Sequence, residues 1–342
     1  MFNKKIVIII INLVFVATIF GEDGLSVDNS VLYDMPRERS LGGSDIIFSR
    51  NGMPTSNPAS ISLDTVSKIS IGYTGFYQNS FSASGLSFVS TVDNRIGFGI
   101  SIAYLAIPDI QLTDSFEADS LGNPLFFDAS KIEYKTASEL NFNASLSYTV
   151  LQKRVVDISV GGSLHGMRRR LIDWTGYGIG FDLAATTKFN KVGIQLGLLA
   201  NDITTNYINW SDSYHANALP RIYFGVGYGK KIPYIYGDIK VTYKSPDLLS
   251  NSGVHHSYIG SNDTPESGRI KKNPLLLFSA ASYGFEYIIY EIVAIRVGLD
   301  ETNRFNFGAG VNLFKQSLAF DFSYTPSYDL AGTYSLSASY NW

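Results

Sequence analysis

The sequence contains no cysteine. That absence excludes a disulfide framework, a thiolate metal centre, a cysteine nucleophile and a lipid-anchored N-terminal cysteine. Long apolar runs are nearly as scarce. Past residue 20 they stay short, as at 275–278, whereas a membrane helix needs about 20 residues. A helical membrane protein is therefore excluded, although 45% of residues are hydrophobic. Charge is sparse too, at 17% of residues with a formal net charge of −3. Scattered basic residues on a mildly acidic chain give no electrostatic case for a nucleic-acid partner.

What the chain does have is aromatic residues, 22 Tyr and 22 Phe, and alternation. In the last block Tyr334, Leu336, Ala338, Tyr340 and Trp342 interleave with Ser335, Ser337, Ser339 and Asn341. Residues two apart share a strand face, so such a block has one apolar and one polar side. The pattern predicts strands over 67–77, 81–92, 95–107, 138–150, 155–168, 174–188, 192–201, 219–229, 233–244, 275–287, 292–299, 304–314, 317–324 and 332–342, fourteen in all. Aromatic-rich alternation repeated that often predicts an all-β transmembrane antiparallel barrel, with lipid outside and a polar interior. The links agree. Every second one is brief, and the long ones, 108–136 and 245–273, fall at the opposite end, as expected for periplasmic turns and outer loops.

Three segments follow. Residues 1–21 read as a signal peptide, with Lys4 and Lys5 before an apolar stretch and Gly21 at the cleavage point. Residues 22–66 lack a sustained period but contain Leu41, Ile46, Ile47, Phe48 and Met53, too apolar for a linker. They are expected to tuck into the lumen as a plug. Residues 67–342 form the barrel, placed in the bacterial outer membrane.

The outward face carries Ile96, Phe98, Ile100, Ile102, Tyr177, Ile179, Phe305, Phe307, Phe320 and Phe322. The lumen face carries Asp157, His165, Asp182, Arg221, Asp238, Lys240, Glu286, Arg296 and Asp321. A Lys or Arg turned to mid-bilayer lipid costs roughly 2–4 kcal/mol, so these charges belong inside, where opposite signs can pair. Inward glycines, among them Gly97, Gly161, Gly197, Gly225 and Gly308, leave room for the plug.

Signals for chemistry are weak. Gly176, Gly178 and Gly180 lie on a strand with no helix after them, which argues against a phosphate loop. His255 and His256, near Asp263 and Glu266, lack a compact ligand spacing. His165 and Asp182 could approach across neighbouring strands, but no nucleophile motif accompanies them. The expectation is a protein without catalytic residues, cofactor or metal. Arg168, Arg169 and Arg170, at an outer strand end, are expected to meet lipopolysaccharide phosphate or a loop.

The run Arg39–Ser40–Leu41–Gly42–Gly43–Ser44, followed by Asn57–Pro58–Ala59–Ser60, resembles the opening of PorV/PorQ-type proteins, relatives of the FadL long-chain fatty acid transporters. The run 295–299 leading into 305–310 matches in style. The resemblance implies a monomeric fourteen-stranded barrel with Arg39, Leu41, Gly42, Gly43, Asn57, Pro58 and Ala59 in the plug. PorV-type members serve type IX secretion, so a translocon and its cargo are the implied partners. For FadL-type members the partner is a hydrophobic ligand. The terminal strand ending in Trp342 resembles the signal read by the barrel-assembly machinery, and outer-membrane lipid and lipopolysaccharide would surround the wall. Transport of hydrophobic small molecules and a purely structural barrel stand as alternatives to secretion.

Overall fold

The computed structural model describes residues 30–49, 51–53, 56–64, 66–93, 95–112, 132–204, 206–211, 215–249, 270, 273–327 and 330–342. The expectations for the signal peptide, for His255 and His256, and for an apolar cluster at 125–127 lie outside the described residues. Sixteen strands are present among them: β1 (Lys68–Phe76), β2 (Phe81–Val92), β3 (Ile96–Leu112), β4 (Glu133–Gln152), β5 (Val156–Leu171), β6 (Trp174–Phe189), β7 (Ile194–Asn201), β8 (Asn206–Trp210), β9 (His215–Ala218), β10 (Arg221–Ile232), β11 (Gly237–Lys244), β12 (Ser282–Ile289), β13 (Val293–Leu299), β14 (Phe305–Leu313), β15 (Leu318–Thr325) and β16 (Thr333–Asn341). All pairings are antiparallel. Fourteen strands close a ring in chain order, with β7 beside β10 and β16 beside β1, so no open edge remains within it.

The remaining two strands, β8 and β9, form a hairpin that the sequence pattern did not announce. It pairs with the outer end of β6, at Gly176–Ile179, where β7 has already left the wall. Several strand boundaries also differ from expectation: β3 runs on to Leu112 and β4 starts at Glu133, so both ends of the expected 108–136 loop belong to paired strands. Residues 275–287 are not one strand: Leu276–Ser279 is a helical turn, and β12 begins at Ser282. The run Leu275–Leu276–Leu277–Phe278 does not alternate; Leu275 and Phe278 are exposed while Leu276 is buried, a helical spacing. Residues 233–235 form a turn closed by Tyr236 at φ 52°, so β11 starts at Gly237.

Every link at one end is short, at most four residues, whereas at the other end only some are, such as 77–80 and Ile172–Asp173. At the β12–β13 link Tyr290 and Glu291 both have positive φ, 50° and 62°, the geometry that matches hairpin twist. Longer connections and the β8–β9 extension occupy the other end, which is therefore the outer one. Large apolar side chains cover the outside, including Ile71, Leu146, Ile179, Ile295 and Phe320. Their neighbours Ser70, Ser147, Glu286 and Ser335 are buried inside. This is the inverse of a soluble protein, and it marks a wall that meets lipid.

Inside lies the segment 30–64. It comprises a short turn of helix at Ser30–Tyr33, a helix at Pro36–Ser40 and a second short helix at Pro58–Leu63. Asn57 starts the latter by accepting from the Ala59 amide at 2.9 Å. The interior core forms between plug and wall: Tyr33, Met35 and Met53 pack with Phe76, Ala83 and Leu105, and Ile46, Ile47 and Ala59 pack with Ala184, Leu199 and Tyr223.

Candidate functional site

The wall admits the plug through missing side chains. A Cβ added at Gly298 would lie 2.2 Å from the Leu41 carbonyl carbon, and one at Gly161 would lie 2.6 Å from the Ala59 nitrogen. At Gly225 it would meet Ile46 at 2.7 Å, and at Gly72 the Met35 sulfur at 2.5 Å. Gly42 adopts φ +67° with its α-carbon against the Leu299 carbonyl, a place only glycine fills without strain.

Charge fastens what packing has fitted. Arg37 donates from Nε and Nη2 to the two Glu286 oxygens at 3.1 and 3.0 Å, and its Nη1 pairs with Asp45. Glu286 also accepts from Arg296 Nε at 2.6 Å and lies 3.1 Å from Lys240 Nζ. Arg296 continues to Asp321 at 2.7 Å. Three cations and three carboxylates thus neutralise one another across plug, β11, β12, β13 and β15, which is what buried charges require.

A second junction joins the start of the plug to β4 and β5. The Tyr33 hydroxyl donates to Glu139 Oε1 at 2.8 Å, and Arg169 donates to the other Glu139 oxygen. Burial first, then the Glu139 charge, pushes the Tyr33 hydroxyl well above the ordinary phenol range. Glu38 is buried beside Arg37, with Oε1 accepting from Ser49 at 2.9 Å and Oε2 unpartnered. Burial raises its carboxyl, opposed by the charges of Arg37 and Lys68.

The third cluster is higher in the lumen. His165 presents Nδ1 to Asp182 at 3.2 Å and Nε2 to Asp202 at 2.9 Å; Asp202 in turn accepts from Arg221 at 2.9 Å. His165, Asp182 and Asp202 are close enough to surround a metal ion. Both ring nitrogens are already directed at carboxylates, however, and both can donate only as imidazolium. The donor set suits an ion-paired strut better than a metal.

Two cavities flank the plug. The outer one, about 160 Å³, is lined by Leu32, Ile46, Phe76, Tyr77, Phe81 and Tyr223 and by polar and charged residues, among them Asp34, Arg39, Lys244, Asp300, Glu301 and Arg304. The Arg39 guanidinium lies 5.0 Å from the Phe76 ring centre and Lys244 Nζ lies 5.0 Å from that of Tyr223, stacking that keeps the cations against aromatic faces. The inner cavity, about 500 Å³, is lined by Arg37, Glu38, Lys68, Gln195, Lys230 and Asp238 and opens toward the short-turn end. The plug stretch from Arg37 to Phe48 separates them.

Most of the polar residues expected in the lumen are there. Asp182, Arg221, Glu286 and Arg296 are buried, Lys240 and Asp321 join the Glu286 network, and Asp238 faces the inner cavity. Asp157 is the correction. It lies at the short-turn rim, accepting from the Lys153 amide at 3.2 Å and Asn190 at 2.9 Å, and ties two turns together outside the lumen networks. Of the plug residues, Leu41, Asn57 and Ala59 are fully buried, while Arg39 and Gly43 border the outer cavity. Asp45, Glu139 and Asp202 do not stand out in the sequence. Glu139 alone had a readable signal, an inward parity between Ala137 and Asn141.

No family model and no curated protein matches the chain. Solved structures do. The toluene transporter TbuX of Ralstonia pickettii superposes over 92% of this chain and 98% of its own, at 13% identity and a TM-score of 0.50. The toluene transporter TodX of Pseudomonas putida does so over 94% and 99%, at 10% identity and 0.51. The monoaromatic hydrocarbon channel CymD covers 92% and 98%, at 13% identity and 0.50. The chain shares the outer-membrane barrel fold of these proteins. At such identity the likeness extends to the fold alone.

Proposed function

We propose that this FadL-like barrel is a channel for small hydrophobic compounds, closed at rest by the segment 30–64. The observation that carries this function is the outer cavity. Apolar and aromatic side chains of Leu32, Ile46, Phe76, Tyr77, Phe81, Leu199 and Tyr223 face it beside a polar set that includes Asp34, Arg39, Lys244, Asp300 and Glu301, it rests on the plug, and its volume is about 160 Å³. A cavity of about 150 Å³ is large enough for a benzene-sized molecule, so a single aromatic ring fits against the apolar faces. TbuX and TodX are toluene transporters and CymD is a monoaromatic hydrocarbon channel, cargo of the same size class.

The test is uptake of labelled toluene and of a polar solute of similar size by cells with and without the barrel. Faster toluene entry with unchanged polar-solute entry is expected. Equal toluene entry in both strains would sink the channel function.

The PorV-type secretion role is the second reading. What favours it is the fastening of the plug to the wall by Arg37–Glu286 and Tyr33–Glu139 pairs, with the two cavities kept apart. It requires a large secretion component to co-purify with the barrel in mild detergent.

A further inference from the structure

The arginine run at the outer end of β5 divides between the two faces of the wall. Arg169 points inward to Glu139, whereas Arg168 and Arg170 are exposed on the outside. Two residues of strand separate them, about 7 Å. Among the described residues no ion pair links either to a carboxylate; the only hydrogen bond from Arg170 goes to the Ile172 carbonyl at 3.3 Å. The nearby Lys135 is already paired with Asp173 at 2.8 Å and lies close enough to Arg170 to feel its charge.

Register fixes their height. Tyr104 pairs with Leu140, Leu140 with Arg168 and Arg168 with Tyr177, so one outward row runs Tyr–Leu–Arg–Tyr across β3 to β6. Exposed tyrosines at both ends of that row belong to the aromatic girdle, where ring and headgroup meet. Arg168 is thus at the level of lipid phosphates, with Arg170 just above. An arginine there loses little to the hydrocarbon, unlike one at mid-bilayer.

The row beneath is indented. It runs Phe142–Gly166–Ile179, with Gly166 outward between two exposed apolar side chains. A Cβ added at Gly166 would meet nothing nearer than the Gly178 carbonyl at 3.8 Å. The next row down places exposed Leu164 under the gap. The wall therefore has an apolar notch directly below two arginines that, among the described residues, pair with no carboxylate.

We propose that this face binds one phosphate-bearing lipid of the outer leaflet, of lipid A chemistry. Its phosphates engage Arg168 and Arg170, and an acyl chain lies in the Gly166 notch. The planar guanidinium suits phosphate through paired N–H donors, and the spacing accommodates two phosphates or two oxygens of adjacent groups. This site rests on the membrane orientation assigned above.

The experiment uses the full barrel in phosphatidylcholine nanodiscs doped with lipid A or with dephosphorylated lipid A, followed by native mass spectrometry. The wild type is expected to retain phosphorylated lipid A at least about tenfold over the dephosphorylated form, the size of one or more charge-assisted contacts. Arg168→Gln with Arg170→Gln should abolish that preference, and Gly166→Leu should weaken retention of both lipids. Lys153→Gln with Arg154→Gln, at the opposite rim, should change nothing. Equal retention of the two lipids overturns the site, as does an unaltered preference in the double variant or an equal loss in the opposite-rim control. Full competition by millimolar inorganic phosphate would make it a free-anion site and overturn the lipid assignment. A wild-type barrel that fails to enter any bilayer would overturn the membrane orientation and the site together.

Discussion

Arg37 and Glu286 meet through two hydrogen bonds, at 3.1 and 3.0 Å, although 249 residues separate them in the chain. That pair joins plug to wall, and the two ends are not equivalent. Glu286 neutralises Arg37, Arg296 and Lys240 together. Glu286→Gln should therefore cost ~3–5 kcal/mol, because it leaves buried cations uncompensated. Arg37→Ala leaves Glu286 with two partners and leaves Asp45 with the Phe48 amide and the nearby Lys240 charge, so it should cost less, about 1–3 kcal/mol. Denaturant unfolding of the refolded barrel measures the order; a larger loss for Arg37→Ala would contradict the network as described.

Plug release is a separate outcome from unfolding. A Cβ at Gly298 collides with Leu41 and Gly42, at 2.2 and 2.3 Å, in a strand whose own pairing it leaves intact. Gly298→Ala should keep the barrel folded, shown by heat-modifiable gel migration, while raising single-channel conductance. Deletion of 22–65 should raise it further. Unchanged conductance in both would mean that the segment does not occlude the lumen.

Much of this architecture was legible because a barrel wall is read two residues at a time. Outward Ile100, Ile179 and Phe320 and inward Asp182 and Glu286 follow from parity alone. The glycines opposite the plug were visible as a surplus, although Gly298 and Gly72, which lie close against Leu41 and Met35, did not stand out. The Arg37–Glu286 contact was not readable, since no period links a non-repeating segment to one strand position out of many. The β8–β9 hairpin was hidden for a different reason. It stands beyond β7, pairs only with the outer end of β6, and has no lipid-facing alternation to announce it. Asp157 had the right parity but sits where the strand ends, so its partners are turn residues.

The His165 cluster offers a check on metal binding. With both ring nitrogens directed at Asp182 and Asp202, and Arg221 on Asp202, a divalent ion would have to displace existing ion pairs. Zinc or a chelator should leave the melting temperature of the purified barrel unchanged. His165→Leu should lower stability by about 1–3 kcal/mol, because it strips a buried donor from two carboxylates. A zinc-dependent rise in melting temperature that His165→Leu abolishes would reverse the assignment.

Glu38 makes the plug sensitive to pH. Burial raises its carboxyl in the folded state above the unfolded value, and the charges of Arg37 and Lys68 only partly offset this. A group with a raised folded pKa binds its proton more tightly when folded, so stability increases as pH falls through that pKa and decreases as pH rises above it. The docked plug should therefore be tighter at mildly acidic than at neutral pH. Glu38→Gln, which keeps the Ser49 contact and removes the charge, should give the tighter state at both. Protease cleavage within 30–64, followed from neutral to mildly acidic pH, measures this directly. Slower cleavage of Glu38→Gln at neutral pH, with a flattened pH profile, is the expected result; cleavage of the wild type that quickens on acidification would show that another group governs the plug.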